Sequence, residues 1–107
     1  MREIQAQQIT DVVERLCIEA NEQLPEDIKN AIHRCRACED WEIAQGVLDQ
    51  IITNFEIAGE ERVPICQDTG MAVVFLKIGQ DVHIVGDSVE NSVNEGGRRG
   101  YREGYLR

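Results

Sequence analysis

The chain has 107 residues, 42% of them hydrophobic, with 20 Asp/Glu against 11 Lys/Arg and a formal net charge of −9. That length suits one small domain with a modest core, and the apolar content excludes a disordered composition. The acidic balance argues against a free nucleic-acid binder, which is normally basic.

The predicted elements begin with a helix over residues 3–22, where Ile4, Ile9, Val12, Val13, Leu16 and Ala20 recur at helical spacing. Leu24-Pro25-Glu26-Asp27 reads as a break and a new helix start, with Pro and acids in the first turn. Ile28, Ala31, Ile32 and Cys35 form the stripe of that second helix. Asp40 is a candidate cap for a third, with Ala44, Val47, Leu48, Ile51, Ile52 and Phe55 facing inward and Gly59 ending it. Trp41, at its start, reads as a packing anchor.

Past Pro64 the pattern changes. Ala72-Val73-Val74-Phe75-Leu76 is a continuous apolar run, as in a well-covered strand, and Val82-His83-Ile84-Val85 alternates. With Ile78-Gly79-Gln80-Asp81 as a turn, the two predict a short β-hairpin. Asp87 or Ser88 caps a last helix that contains Gly96, Gly97, Gly100 and Gly104. Each interior glycine costs about 1 kcal/mol relative to Ala, so either another backbone packs very close there or the helix breaks near Gly96-Gly97. The expected fold is α+β and mainly helical: N-terminal helices, a polar loop, a hairpin and a C-terminal helix, in a single domain over residues 1–107. The pattern stops at Leu106-Arg107 with no capping or breaking residue, so the last helix reads as cut, exposing Tyr101, Tyr105 and Leu106 for self-association.

Charge is unevenly spread. Residues 1–97 carry 7 Lys/Arg and 19 Asp/Glu, a balance of −12, whereas residues 98–107 carry four Arg and one Glu, or +3. That local positive pole suits a small anion on an acidic protein. The first residues are polar rather than leader-like, and no apolar run approaches a membrane span, which predicts a soluble, cytoplasmic protein. Cys17, Cys35, Cys38 and Cys66 are too sparse for a disulfide scaffold and read as buried thiols or metal ligands.

The densest chemistry lies in Pro64-Ile65-Cys66-Gln67-Asp68-Thr69-Gly70. Cys66 is either a small buried residue or a soft ligand for iron. Asp68 is either a turn former or a proton-transfer carboxylate, with Gln67 to orient a substrate oxygen and Thr69 to donate a hydrogen bond to either neighbour. Elsewhere, Cys35-x-x-Cys38 sits in a helical pattern without a second pair, so it reads as two thiols on a helix. His33 and His83 read as surface or strand residues. Gly97-Arg98-Arg99-Gly100 fits the GxxG form of an RNA-binding loop, but the acidic remainder opposes it.

Taken together, VPICQDTGMAVVFLKIGQDVHIVG and VNEGGRRGYREGYLR resemble the iron-dependent, class I fumarate hydratase family, which includes L-tartrate dehydratases. The similarity spans essentially the whole chain and is that of the N-terminal part of an alpha subunit. The resemblance implies an iron–sulfur hydro-lyase that reversibly hydrates a C4 dicarboxylate. It implies a 4Fe–4S cluster held by three cysteines, Cys66 matching the first. Gln67 and Asp68 match substrate-site residues, Asp68 moving a proton or holding the hydroxyl, and Arg107 matches an arginine that grips a substrate carboxylate. It also implies, as partners, the rest of the alpha subunit and a beta subunit or domain, in an oligomer with neither nucleic acid nor membrane. The remaining cluster cysteines do not follow Cys66 in these residues, so the chain reads as an N-terminal fragment, inactive by itself. A stand-alone interaction or regulatory module without catalysis is the alternative.

Overall fold

A computed structural model describes all 107 residues, in the order β1 (Arg2–Gln5), α1 (Ala6–Glu22), α2 (Glu26–Cys38), α3 (Glu42–Glu61), β2 (Val82–Val85) and α4 (Val89–Glu103). The architecture is mainly helical with a small β component, as the sequence predicts. The chain divides into two compact units, one of Met1–Glu19 with Gln67–Arg107 and the other of Ala20–Cys66. No helix is long and apolar enough to cross a membrane.

In the first unit β1 and β2 pair in parallel, Arg2 opposite Val82 and Gln5 opposite Val85. The expected hairpin is therefore not formed. The turn before β2 is present, Val82 N–H reaching Gly79 C=O at 3.2 Å. However, β2 takes β1 as its partner, and Ala72–Leu76 forms neither strand nor helix. A strand is defined by a ladder to a neighbour, and this run has none: Val73 is 72% and Phe75 93% exposed. Ile4, expected in the first helix, belongs instead to β1, opposite Ile84.

Each strand is followed by a helix, α1 after β1 and α4 after β2. Ser88 caps α4 as expected, its hydroxyl accepting Asn91 N–H at 3.1 Å. The glycines of α4 do not break it; they admit α1. A Cβ on Gly96 would lie 2.6 Å from the Thr10 carbonyl oxygen, and one on Gly100 would lie 2.8 Å from Cys17 Cβ and 2.9 Å from the Glu14 oxygen. Only hydrogen fits at those two positions. The buried Thr10 hydroxyl crosses the seam to donate to Ser92 C=O at 3.0 Å, beside the core residues Ala6 and Val13.

The second unit is a helical hairpin of α2 and α3. Pro25 precedes α2 and accepts the N–H groups of Ile28 and Lys29, each at 3.1 Å. Phe55 and Ala58 of α3 are its buried apolar residues, and His33 meets the Phe55 ring edge-on at 6.0 Å. Arg36 reaches across to Asp49 at 2.6 and 3.3 Å. Four expectations change here. Trp41, not Asp40, stands at the N-cap, and it is 62% exposed rather than an anchor. Val47 and Ile51 lie outside the covered stripe of Ala44, Leu48, Ile52 and Phe55, which repeats at tighter helical spacing. Gly59 lies inside α3, which runs on to Glu61.

Candidate functional site

Both segments that carry the candidate residues are entered through a non-glycine residue in the left-handed region. Arg62, at φ 57°, closes α3, and Val63 N–H returns to Ala58 C=O at 3.1 Å. Tyr105, at φ 55°, follows α4, and Leu106 N–H returns to Tyr101 C=O at 2.9 Å. These are Schellman-type reversals, which satisfy terminal carbonyls and turn the chain sharply. The second corrects the expectation of a cut helix with no terminator. It leaves Tyr105 exposed while Tyr101 and Leu106 are partly covered.

After Arg62 the main chain is fixed by two asparagines. Ile65 N–H donates to Asn21 C=O at 2.8 Å, and Ile65 C=O accepts from Asn54 Nδ2 at 2.9 Å. Cys66 follows at once, exposed, and closes the second unit. Gln67 begins the return to the first unit and is also exposed. Asp68 Oδ1 accepts Gly70 N–H at 3.0 Å, an Asx-type turn completed by Gly70 at φ +62°. The carboxylate thus has a set orientation.

Thr69 reaches the far end of the sequence. Its hydroxyl donates to the Arg107 main-chain oxygen at 2.5 Å and accepts Arg107 N–H at 2.7 Å, a separation of 38 residues. Tyr101 Oη donates to Thr69 C=O at 3.3 Å. The fold therefore joins the loop that bears Asp68 to the residue whose guanidinium the sequence singles out, and that side chain is exposed. The Thr69 proton goes to Arg107, not to Asp68 or Gln67 as expected. Sequence reasoning missed Tyr101 as a member of this cluster; its place in the same GYREGYLR stretch as Arg107 was the one available signal.

The positive pole is smaller than its arginine count. Glu95 accepts from Arg98 at 2.8 and 2.7 Å and from Arg99 at 2.9 Å, and Arg99 also lies 4.0 Å from Asp11. The hydrogen bonds from Arg98 and then Arg99 hold the Glu95 carboxyl down to about 2. The pole thus rests on Arg102 and Arg107. The same pairing removes the RNA-loop reading, since Gly97–Gly100 is helix rather than loop and its arginines face an acid. Cys35 and Cys38 are exposed thiols in the last turn of α2, and burial pushes the Cys17 thiol up.

The sequence model described as fumarate hydratase (fumerase) matches residues 10–107. The chain belongs to the fumarate hydratase family. A protein of Methanocaldococcus jannaschii, provisionally named an L(+)-tartrate dehydratase subunit alpha, is 49% identical over 75 residues, which is 70% of this chain and 26% of that protein. The chain thus spans about a quarter of the length of the curated relative it matches. The fumarate hydratase match takes in β2, α2, α3, α4 and all but the first turn of α1, leaving out β1.

The 4Fe–4S cluster implied by the fumarate hydratase resemblance needs thiolate sulfur. Cys66 fits one such position: it is exposed, on a main chain held on its N-terminal side by Asn21 and Asn54. No three His, Cys, Asp or Glu side chains come together to hold a metal ion. These residues therefore fit one corner of a cluster, not a whole one.

Proposed function

We propose that this chain supplies one cluster ligand and part of the substrate site of an iron–sulfur hydro-lyase that reversibly hydrates a C4 dicarboxylate. Fumarate to malate is the first choice and tartrate dehydration the second. One observation carries the reading: the Thr69 hydroxyl ties the loop of Gln67 and Asp68 to the main chain of Arg107.

Cys66 would hold one iron of the cluster, which when bound supplies Lewis acidity toward the substrate's hydroxyl and carboxylate. Arg107 grips a substrate carboxylate with two parallel N–H donors, the geometry a planar guanidinium offers and an ammonium does not. Gln67 orients a substrate oxygen through its amide. Asp68, set by Gly70 N–H, moves a proton or holds the hydroxyl. A dianion approaching a chain of net charge −9 needs such a local cation.

The remaining polypeptide of an alpha subunit and a beta subunit complete the enzyme, in an oligomer, and this chain alone is without turnover. The name of the relative as a subunit alpha supports this. So does the exposed apolar run Met71–Leu76, which offers unpaired main chain to another strand. Exposed thiols at Cys35 and Cys38 suit a reducing cytoplasm.

Anaerobic reconstitution with iron and sulfide, with and without the downstream polypeptide, tests the reading. Cluster absorbance and fumarate turnover are expected only in the completed protein and are lost with Cys66→Ser. Turnover indifferent to that substitution would overturn the assignment.

A further inference from the structure

We propose that Thr69 is a positioning residue, whose hydroxyl fixes the main chain of Arg107 and thereby the direction in which its guanidinium meets an anionic ligand. The identity of that anion rests on the dicarboxylate reading above; the latch itself does not.

A hydroxyl has one proton and two lone pairs. Here the proton goes to the Arg107 oxygen at 2.5 Å, and one lone pair takes Arg107 N–H at 2.7 Å. Both main-chain groups of one residue are thus satisfied by one side chain. Arg107 needs such a partner because α4 ends at Glu103 and the reversal at Tyr105 carries the chain out of the helical ladder. Without it, the N–H and oxygen of Arg107 would turn to water and the segment would fray.

The opposite side of the latch is equally constrained. Thr69 C=O accepts Tyr101 Oη at 3.3 Å, so residue 69 is held from two points of the 101–107 segment. Threonine is stiff at χ1, so its hydroxyl has little freedom relative to the main chain that carries Asp68 and Gly70. The contact joins residues 38 apart and is not a local turn motif. An arginine side chain has many rotamers, and fixing its root narrows the arc its guanidinium sweeps, which lowers the ordering cost of binding.

The test compares Thr69→Val, which keeps the shape and removes the hydroxyl, with Thr69→Ser, which restores the hydroxyl. In this 107-residue chain, amide hydrogen exchange at Arg107 is expected to quicken about tenfold in Thr69→Val and to return toward the parent rate in Thr69→Ser. In the completed enzyme Thr69→Val is expected to raise KM for fumarate about tenfold with kcat within a fewfold, and Thr69→Ser to recover it. Unchanged Arg107 exchange in Thr69→Val overturns the latch, whatever the activity shows. A quickened exchange with unchanged KM overturns the positioning role. If Arg107→Met also leaves KM unchanged, the dicarboxylate reading of Arg107 fails separately, and the exchange result still decides the latch.

Discussion

The Thr69 hydroxyl and Arg107 meet through the main chain of the arginine, not through its guanidinium, at 2.7 Å to its N–H and 2.5 Å to its oxygen. The charged group is thereby left exposed while its root is held. An arginine salt-bridged to a protein carboxylate, as Arg98 and Arg99 are to Glu95, would have to exchange one anion for another.

Arg107→Lys keeps the charge and loses the paired donors. One charge-assisted hydrogen bond is worth about 1.5–3 kcal/mol, so KM for fumarate in the completed enzyme is expected to rise roughly ten- to a hundredfold. Steady-state kinetics of the variant check this.

Gly100 and Gly97, three residues apart on α4, should respond in opposite directions to alanine. A Cβ at 100 meets Cys17 Cβ at 2.8 Å and the Glu14 oxygen at 2.9 Å, whereas one at 97 meets nothing within 4 Å. Gly100→Ala is expected to destabilise by about 1–3 kcal/mol through overpacking. Gly97→Ala is expected to stabilise by about 0.5–1 kcal/mol through helix propensity. Urea unfolding of both variants separates the seam from the open face.

Glu95 makes stability depend on acid. Its carboxyl titrates at about 2 in the folded chain against an ordinary 4.5, because Arg98 and Arg99 donate to it. A depressed carboxyl contributes stability that is present above about 4.5 and lost as pH falls toward about 2. The group is half-exposed, so solvent and salt screen the effect and keep it small. The urea midpoint should therefore fall less steeply between those pH values in Glu95→Gln than in the parent, and the difference should shrink in high salt.

Ser88→Ala removes the hydroxyl that accepts Asn91 N–H at 3.1 Å. A loss of about 1 kcal/mol is expected by thermal or urea unfolding, and Ser88→Asp should recover most of it.

Those features that local chemistry determines were legible in the sequence. Pro25 with its acids marks the start of α2, Ser88 marks the start of α4, and the glycines at 96 and 100 announce a close neighbour. The run of Cys66, Gln67, Asp68 and Thr69 is visible because four functional groups in a row exceed what a turn requires. The pairing of β1 with β2 was not legible: Arg2-Glu3-Ile4-Gln5 has a single apolar residue, and its partner lies far along the chain. Ala72–Leu76 misled in the other direction, since a continuous apolar run encodes a wish for cover but not where the cover comes from. The Thr69 latch depends on Tyr105 taking a left-handed conformation that no non-glycine residue advertises.

The reversal at Tyr105 turns the interval from Tyr101 to Arg107 into a ruler. Tyr101 and Arg107 both engage Thr69, one at each end of the measured stretch. One residue inserted between Gly104 and Arg107 would leave α4 intact yet carry the arginine past its mark, so the spacing in GYREGYLR is as much a part of the device as the letters themselves.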